Sequence, residues 1–183
     1  MNNDYNTLQI LRRLNHVKRC ARYPLVNATT VAEHSYHATV LALYIAEGVA
    51  YKLDIEKVLR RVLLHDTEEA LLSDIPHDVK AYLDTKGALR ALVQKYFQVA
   101  PLWFRDEMTK EHDGSIEHDV AKLADHLELA LYCVEEINTG NRHLRAMLCA
   151  ALGLSTALNT RVCSTEASNI IKECAKYADE APR

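Results

Sequence analysis

Glycine and proline are scarce in this chain, at 5 and 4 of 183 residues, which leaves little material for the tight turns of an all-β or loop-rich fold. The five cysteines contain no CxxC pair and their number is odd, so neither a disulfide framework nor a thiolate zinc site is indicated. They fall mostly within apolar helical patterns, where packing is their expected role. No secretory-type apolar stretch marks the opening MNNDYNTLQ, and a reducing cytoplasm is the expected compartment. No apolar run approaches the roughly 20 residues that span a bilayer, since even VLALYIAEGVAY is interrupted by Glu47. An excess of positive charge is also missing. The net charge is −3, which gives the chain no general attraction for a nucleic-acid polymer or an anionic membrane, so any phosphate binding must be local.

With 49% hydrophobic and 26% charged residues, the expectation is one all-α domain over residues 1–183, a bundle of about seven to nine helices. Leu8, Leu11, Leu14 and Val17 predict a first helix over residues 5–20, with Arg12-Arg13 and Lys18-Arg19 on its solvated face. Thr30 and Glu33 form a capping-box pattern that opens a helix running to about Lys52, with His34 in its first turn. Asp54 caps a third helix, which carries His65 and Asp66 toward its C-terminal part. Ser73-Asp74-Ile75-Pro76 bends the chain, and a short helix follows over 77–83. Further helices are expected over 88–98, 102–111, from Gly114 through Asn138, and over 142–157 and 165–178.

The chemistry concentrates in a few of these elements. Adjacent His65 and Asp66 point about 100° apart on a helix and can both reach one cation. His34 and Asp125 lie on other amphipathic helices whose apolar faces must meet, and Asp125 sits in a strongly apolar pattern where an unpaired charge is costly. Two imidazoles and two carboxylates suit a divalent transition metal, with Co, Mn, Zn, Fe and Ni all compatible. Such an ion supplies a hydroxide nucleophile near neutral pH by acidifying water, and Glu69, on the same face as His65 and Asp66, is placed to act on that water. Glu68, Glu69 and Asp74 also fit a plainer role as surface carboxylates of a charged helix end. Arg22 is the natural phosphate fork, and Lys80 is a second cation for the same anion. Tyr23 fits base stacking and packing on the first helix equally well. Pro76 and His77 share the bend and are read as substrate-facing, while His37 and His126 read as bystanders.

The ordered set ARYPL, VAEHSYHA, LLHDTEEALLSDIPHDVK and KLADHLELALYCVEEINTGN resembles the HD-domain phosphohydrolase superfamily. It is most similar to the YfbR-type 5′-deoxyribonucleotidases and their phage relatives, which include dATP triphosphohydrolases. The resemblance implies an HD-type helical bundle with His34, His65, Asp66 and Asp125 as metal ligands and Glu69 and Asp74 as catalytic carboxylates. Arg22 would hold the phosphate and Tyr23 would lie near sugar and base. It also implies a small deoxynucleotide substrate and a homo-oligomer. From the phage branch the favoured reaction is dATP to deoxyadenosine and triphosphate, with dNMP hydrolysis as the alternative. A triphosphate would call for extra cations such as Lys80, Lys86 or Arg90, or for a second divalent ion such as Mg. A non-catalytic nucleotide-binding module is the rival of a different class, disfavoured by Glu69 and Asp74 beside a complete ligand set.

Overall fold

The computed structural model describes residues 3–76, 79, 80, 82, 83, 87–109 and 113–178. Its described residues form nine α-helices and no strand, joined by 3-10 turns at Arg12–His16 and Arg142–Leu144. The helices are α1 (Asn3–Leu11), α2 (Val31–Glu47), α3 (Ile55–Leu64), α4 (Glu69–Leu72), α5 (Ala88–Tyr96), α6 (Leu102–Thr109), α7 (Ile116–Asn138), α8 (Arg145–Val162) and α9 (Thr165–Ala178). Residues 79, 80, 82 and 83 are helical as well.

Helix α7 is the axis of the bundle and touches α2, α3, α8 and α9. Its start is fixed locally: the Ser115 side chain accepts from His118 N, and Glu117 and Asp119 complement the positive end of the helix dipole. Ala38, Leu41, Ala42 and Ile45 of α2, Val58 and Val62 of α3, and Val120, Leu123, Ala124 and Leu127 of α7 interlock as the main core. A second cluster joins α7 to α8 and α9 through Cys133, Leu144, Leu148 and Cys174.

Three expected boundaries are corrected. The first helix stops at Leu11 and its 3-10 continuation at His16, because Val17 turns extended and residues 17–19 pair with 29–31. Val31 N donates to Val17 O (2.9 Å) and Arg19 N to Thr29 O (3.0 Å), bonds that a helix through residue 20 would forbid. Helix α2 keeps the predicted capping box at Thr30 and Glu33 but ends at Glu47. There Ser164 Oγ takes the late carbonyl of Ile45 (2.9 Å), and Gly48 passes so close to Glu166 and Ser164 that a Cβ would collide with them. Helix α3 ends at Leu64, so His65 and Asp66 occupy the turn between α3 and α4 instead of the helix body. Two cysteines also depart from the packing expectation: Cys149 and Cys163 are exposed.

Candidate metal centre

Helices α2 and α7 and the α3–α4 turn meet at one point because their apolar faces share a core. The capping box fixes the first turn of α2 and buries His34 completely. Its Nε2 lies 3.2 Å from His65 Nε2, 3.8 Å from Asp66 Oδ2 and 3.3 Å from Asp125 Oδ1. His65 Nε2 in turn lies 3.0 Å from Asp66 Oδ2 and 3.4 Å from Asp125 Oδ1. Four of these five spacings fall within the roughly 3.0–3.4 Å that bonds of about 2.1 Å to one ion require; His34, His65 and Asp66 form the tight cluster, and Asp125 approaches both imidazoles.

The ring tautomers test whether an ion belongs there. His34 Nδ1 faces Glu128 Oε2, and His65 Nδ1 lies 2.6 Å from the carbonyl of Val62. Both partners are acceptors, so each Nδ1 carries the proton and each Nε2 presents a bare lone pair to the other and to two carboxylate oxygens. Two such nitrogens with Asp66 beside them and Asp125 Oδ1 close to both are stable only around a positive charge. The electrostatics agree. Burial pushes His65 down, yet Asp66 and Asp125 outweigh it and lift the imidazole to about 10, so the pocket takes a proton where no other cation is present. Burial raises Asp66 and Asp125, but neighbouring His65 brings both well below the usual carboxylate range. The donor set therefore fits a divalent ion.

Two cations flank the centre. Arg19 Nη1 reaches Asp66 Oδ2 at 3.2 Å, and Lys80 Nζ reaches Asp66 Oδ1 at 2.7 Å. Lys80 also pairs with Glu68, lies 4.0 Å from Glu69, and is held near Asp66 by a turn in which its N donates to Pro76 O (2.8 Å). Burial disfavours the Lys80 charge, but Asp66 and Glu68 more than restore it. Glu69, 4% exposed and with Oε2 lacking a hydrogen bond, is pushed up to about 8, first by burial and then by Asp66. A carboxyl that titrates near neutrality beside a metal centre is suited to exchanging a proton with water. Asp74 adds to the negative potential on Glu69 and accepts from Ala21 N at 3.4 Å.

The structure brings His34, His65, Asp66, Asp125, Glu69 and Lys80 together. Arg22 and Tyr23 are exposed on the loop beside Asp74. Pro76 is half-buried and serves the Lys80 turn, while His77 and Lys86 lie outside the described residues. One reading is corrected: Arg19, assigned to a solvated helix face, has a side chain only 13% exposed and turned onto Asp66. Nothing in the sequence announces this contact, which spans 47 positions. Glu128 was missed as well, although its signal is legible: a carboxylate one turn beyond Asp125 in the same apolar pattern.

A cavity of about 480 Å³ opens beside the centre. His65, Asp125, Glu68 and Lys80 form its metal side, and Arg90 and Lys122 add cations to its wall. Lys122 Nζ lies 3.6 Å from Asp125 Oδ2.

Residues 6–161 match the family model of YfbR-like 5′-deoxynucleotidases. A 5′-deoxynucleotidase of Vibrio atlanticus is 30% identical over 144 residues, covering 70% of this chain and 74% of the relative. The 5′-deoxynucleotidase YfbR of Salmonella arizonae is 28% identical over 148 residues, covering 72% and 74%. In fold, the chain superposes on an HD-domain phosphohydrolase of Listeria innocua with a TM-score of 0.75 at 18% identity, covering 96% of this chain and 89% of that one. A conserved hypothetical protein of Pyrococcus furiosus gives a TM-score of 0.76 at 22% identity, covering 94% and 99%. A helical bundle with its His and Asp cluster where α2, α7 and the α3–α4 turn meet, matched over most of its length by one family model, belongs to the YfbR-like 5′-deoxynucleotidase family.

Proposed function

We propose that this protein hydrolyses 2′-deoxynucleoside 5′-monophosphates, breaking the bond between the α-phosphorus and the 5′ oxygen and releasing the deoxynucleoside. The observation that carries the reading is the convergence of His34, His65, Asp66 and Asp125 beside the buried, proton-retaining Glu69. A divalent transition metal held by the four ligands would supply Lewis acidity and a nucleophile from water at neutral pH. Glu69 takes or returns a proton, and Asp74 supports it electrostatically. Arg22 offers a bidentate fork to the phosphate, Tyr23 stacks on the nucleoside side, and Pro76 shapes the turn that presents Lys80. Lys80 also neutralises part of the surplus carboxylate charge, so a phosphate dianion can approach a site otherwise rich in negative groups. The relatives named 5′-deoxynucleotidases support the monophosphate.

A second reading extends the substrate to dATP, the expectation from the phage resemblance. The observation favouring it is the cavity whose wall combines Lys80, Arg90 and Lys122, cations suited to two further phosphates, with a second ion such as Mg on the chain. A homo-oligomer completes the proposal, supported by the exposed stripe of Tyr36, Val40, Leu43 and Tyr44 along α2.

The test is to load the protein with Mn or Co and follow dAMP and dATP side by side, identifying phosphate or triphosphate as product. Undiminished metal content and hydrolysis in His65→Ala or Asp66→Ala would refute the site. Retained nucleotide binding with no product would favour a regulatory module.

A further inference from the structure

The end of the Asp125 motif, EEINTGN, holds a carboxylate that the metal centre does not use. Glu136 is completely buried. Burial raises its carboxyl, but N–H donors bring it below the usual range. They are Val26 N at 2.9 Å, Asn27 N at 2.6 Å and Asn141 Nδ2 at 2.6 Å. Gly140, at φ +99°, reverses the chain after α7, and Asn141 N returns to Glu136 O at 2.9 Å. That reversal sets the Asn141 amide to donate also to Pro24 O (2.7 Å), while Tyr132 Oη donates to Asn27 O (3.1 Å). The loop at 24–27 is thereby tied to the end of α7 through backbone groups on both sides of the peptide.

The same loop has a second anchor at the site. Ala21 N donates to Asp74, and Leu25 and Cys20 pack on the α7–α8 cluster. Arg22 and Tyr23 lie between the two anchors, with Tyr23 N turned back onto Cys20 O at 2.9 Å. A short segment held at Ala21 and again at Pro24 has little freedom, although its two side chains are exposed. We infer that Glu136, Asn141 and Tyr132 form a clamp that positions the Arg22–Tyr23 loop over Asp74, acting on substrate binding and not on the metal. It rests on the functional reading above for the roles of Arg22 and Tyr23. Glu136 is a positioning residue, since it reaches the substrate only through the loop.

The test uses the Mn-loaded protein with whichever of dAMP and dATP is turned over. In Glu136→Gln, one acceptor becomes a donor that opposes a backbone N–H. KM should rise on the order of tenfold, the scale of hydrogen bonds to a charged group, with kcat within about twofold and metal content unchanged. Amide exchange at Val26 and Asn27 should accelerate. Tyr132→Phe, which removes a single hydroxyl, is the milder variant should Glu136→Gln fold poorly, and should raise KM by about threefold. In an Arg22→Ala background Glu136→Gln should add little to KM, because the clamp acts through the loop. Faster exchange with unchanged KM overturns the clamp, and so do additive effects in the double variant. An unchanged KM in Arg22→Ala alone overturns the role given to Arg22. If neither nucleotide is turned over, the functional reading fails, and exchange at Val26 and Asn27 decides whether the clamp orders the loop.

Discussion

Replacing Glu128 by Ala probes how the metal centre is built. His34 is completely buried and its Nδ1 faces Glu128, itself 8% exposed. The carboxylate fixes the Nδ1–H tautomer, aims Nε2 at His65 and Asp125, and raises the basicity of the ring. Two routes give the magnitude. A hydrogen bond to a charged group contributes about 1.5–3 kcal/mol, which is roughly 10- to 150-fold in an equilibrium constant. Partners of metal-ligating histidines, when removed, cost about 10- to 100-fold in metal affinity. Glu128→Ala is therefore expected to weaken metal binding by 1–2 orders of magnitude. Glu128→Gln keeps an acceptor but loses the charge and should fall near the tenfold end. The measurement is a chelator-competition titration on purified apoprotein, with the visible spectrum of the Co form reporting geometry. A dissociation constant within twofold of the unaltered protein in Glu128→Ala would show that His34 is oriented by packing alone.

Glu69→Gln should separate activity from stability. The Glu69 carboxyl sits at about 8 in the fold against 4.5 ordinarily, so its protonated form adds stability in full below about pH 4.5, and this is lost as pH rises to 8. The metal-free Gln variant should thus gain on the unaltered protein as pH rises, in urea unfolding at pH 5 and pH 8.5, while hydrolysis by the loaded variant falls at least 100-fold; an equal stability difference at both pH values would count against it. Chelation should lower the melting temperature by roughly 8–16 °C, as expected for about 4 kcal/mol of ligand stabilisation at a thousandfold excess over the dissociation constant, and differential scanning calorimetry checks it. Thr30→Ala removes the cap of α2 and should cost about 1 kcal/mol in denaturant unfolding, with a smaller loss contradicting the capping role.

The elements with strong local signals were legible. Thr30 and Glu33 announced the start of α2, and the span expected from Gly114 through Asn138 matches α7, because caps and stops act within a few residues. Periodicity misled where long-range pairing overrode it, as at residues 17–19, which satisfy their backbone groups with 29–31. The ligand candidates His34, His65, Asp66 and Asp125 stood out as polar groups in apolar patterns. Arg19 did not, since a basic residue beside Lys18 looks like any solvated pair until the fold turns it inward. Glu136 was hidden for another reason: its partners are backbone amides, which carry no sequence signature.

The segments that carry the ligand candidates run directly into the walls of the main core: Ala38 lies one turn beyond His34, Val62 one turn before His65, and Leu127 two residues past Asp125. A change in size of the interior side chains there is expected to displace one of these candidates, so the candidate centre is inherited together with the bundle. Glu69, Asp74, Lys80 and the Arg22 loop belong to short elements at its margin, outside the main core cluster. Diversification of this scaffold should proceed at the margin, with contacts changing around an unaltered set of ligand candidates, and the interior should tolerate replacement least where it is most remote from solvent.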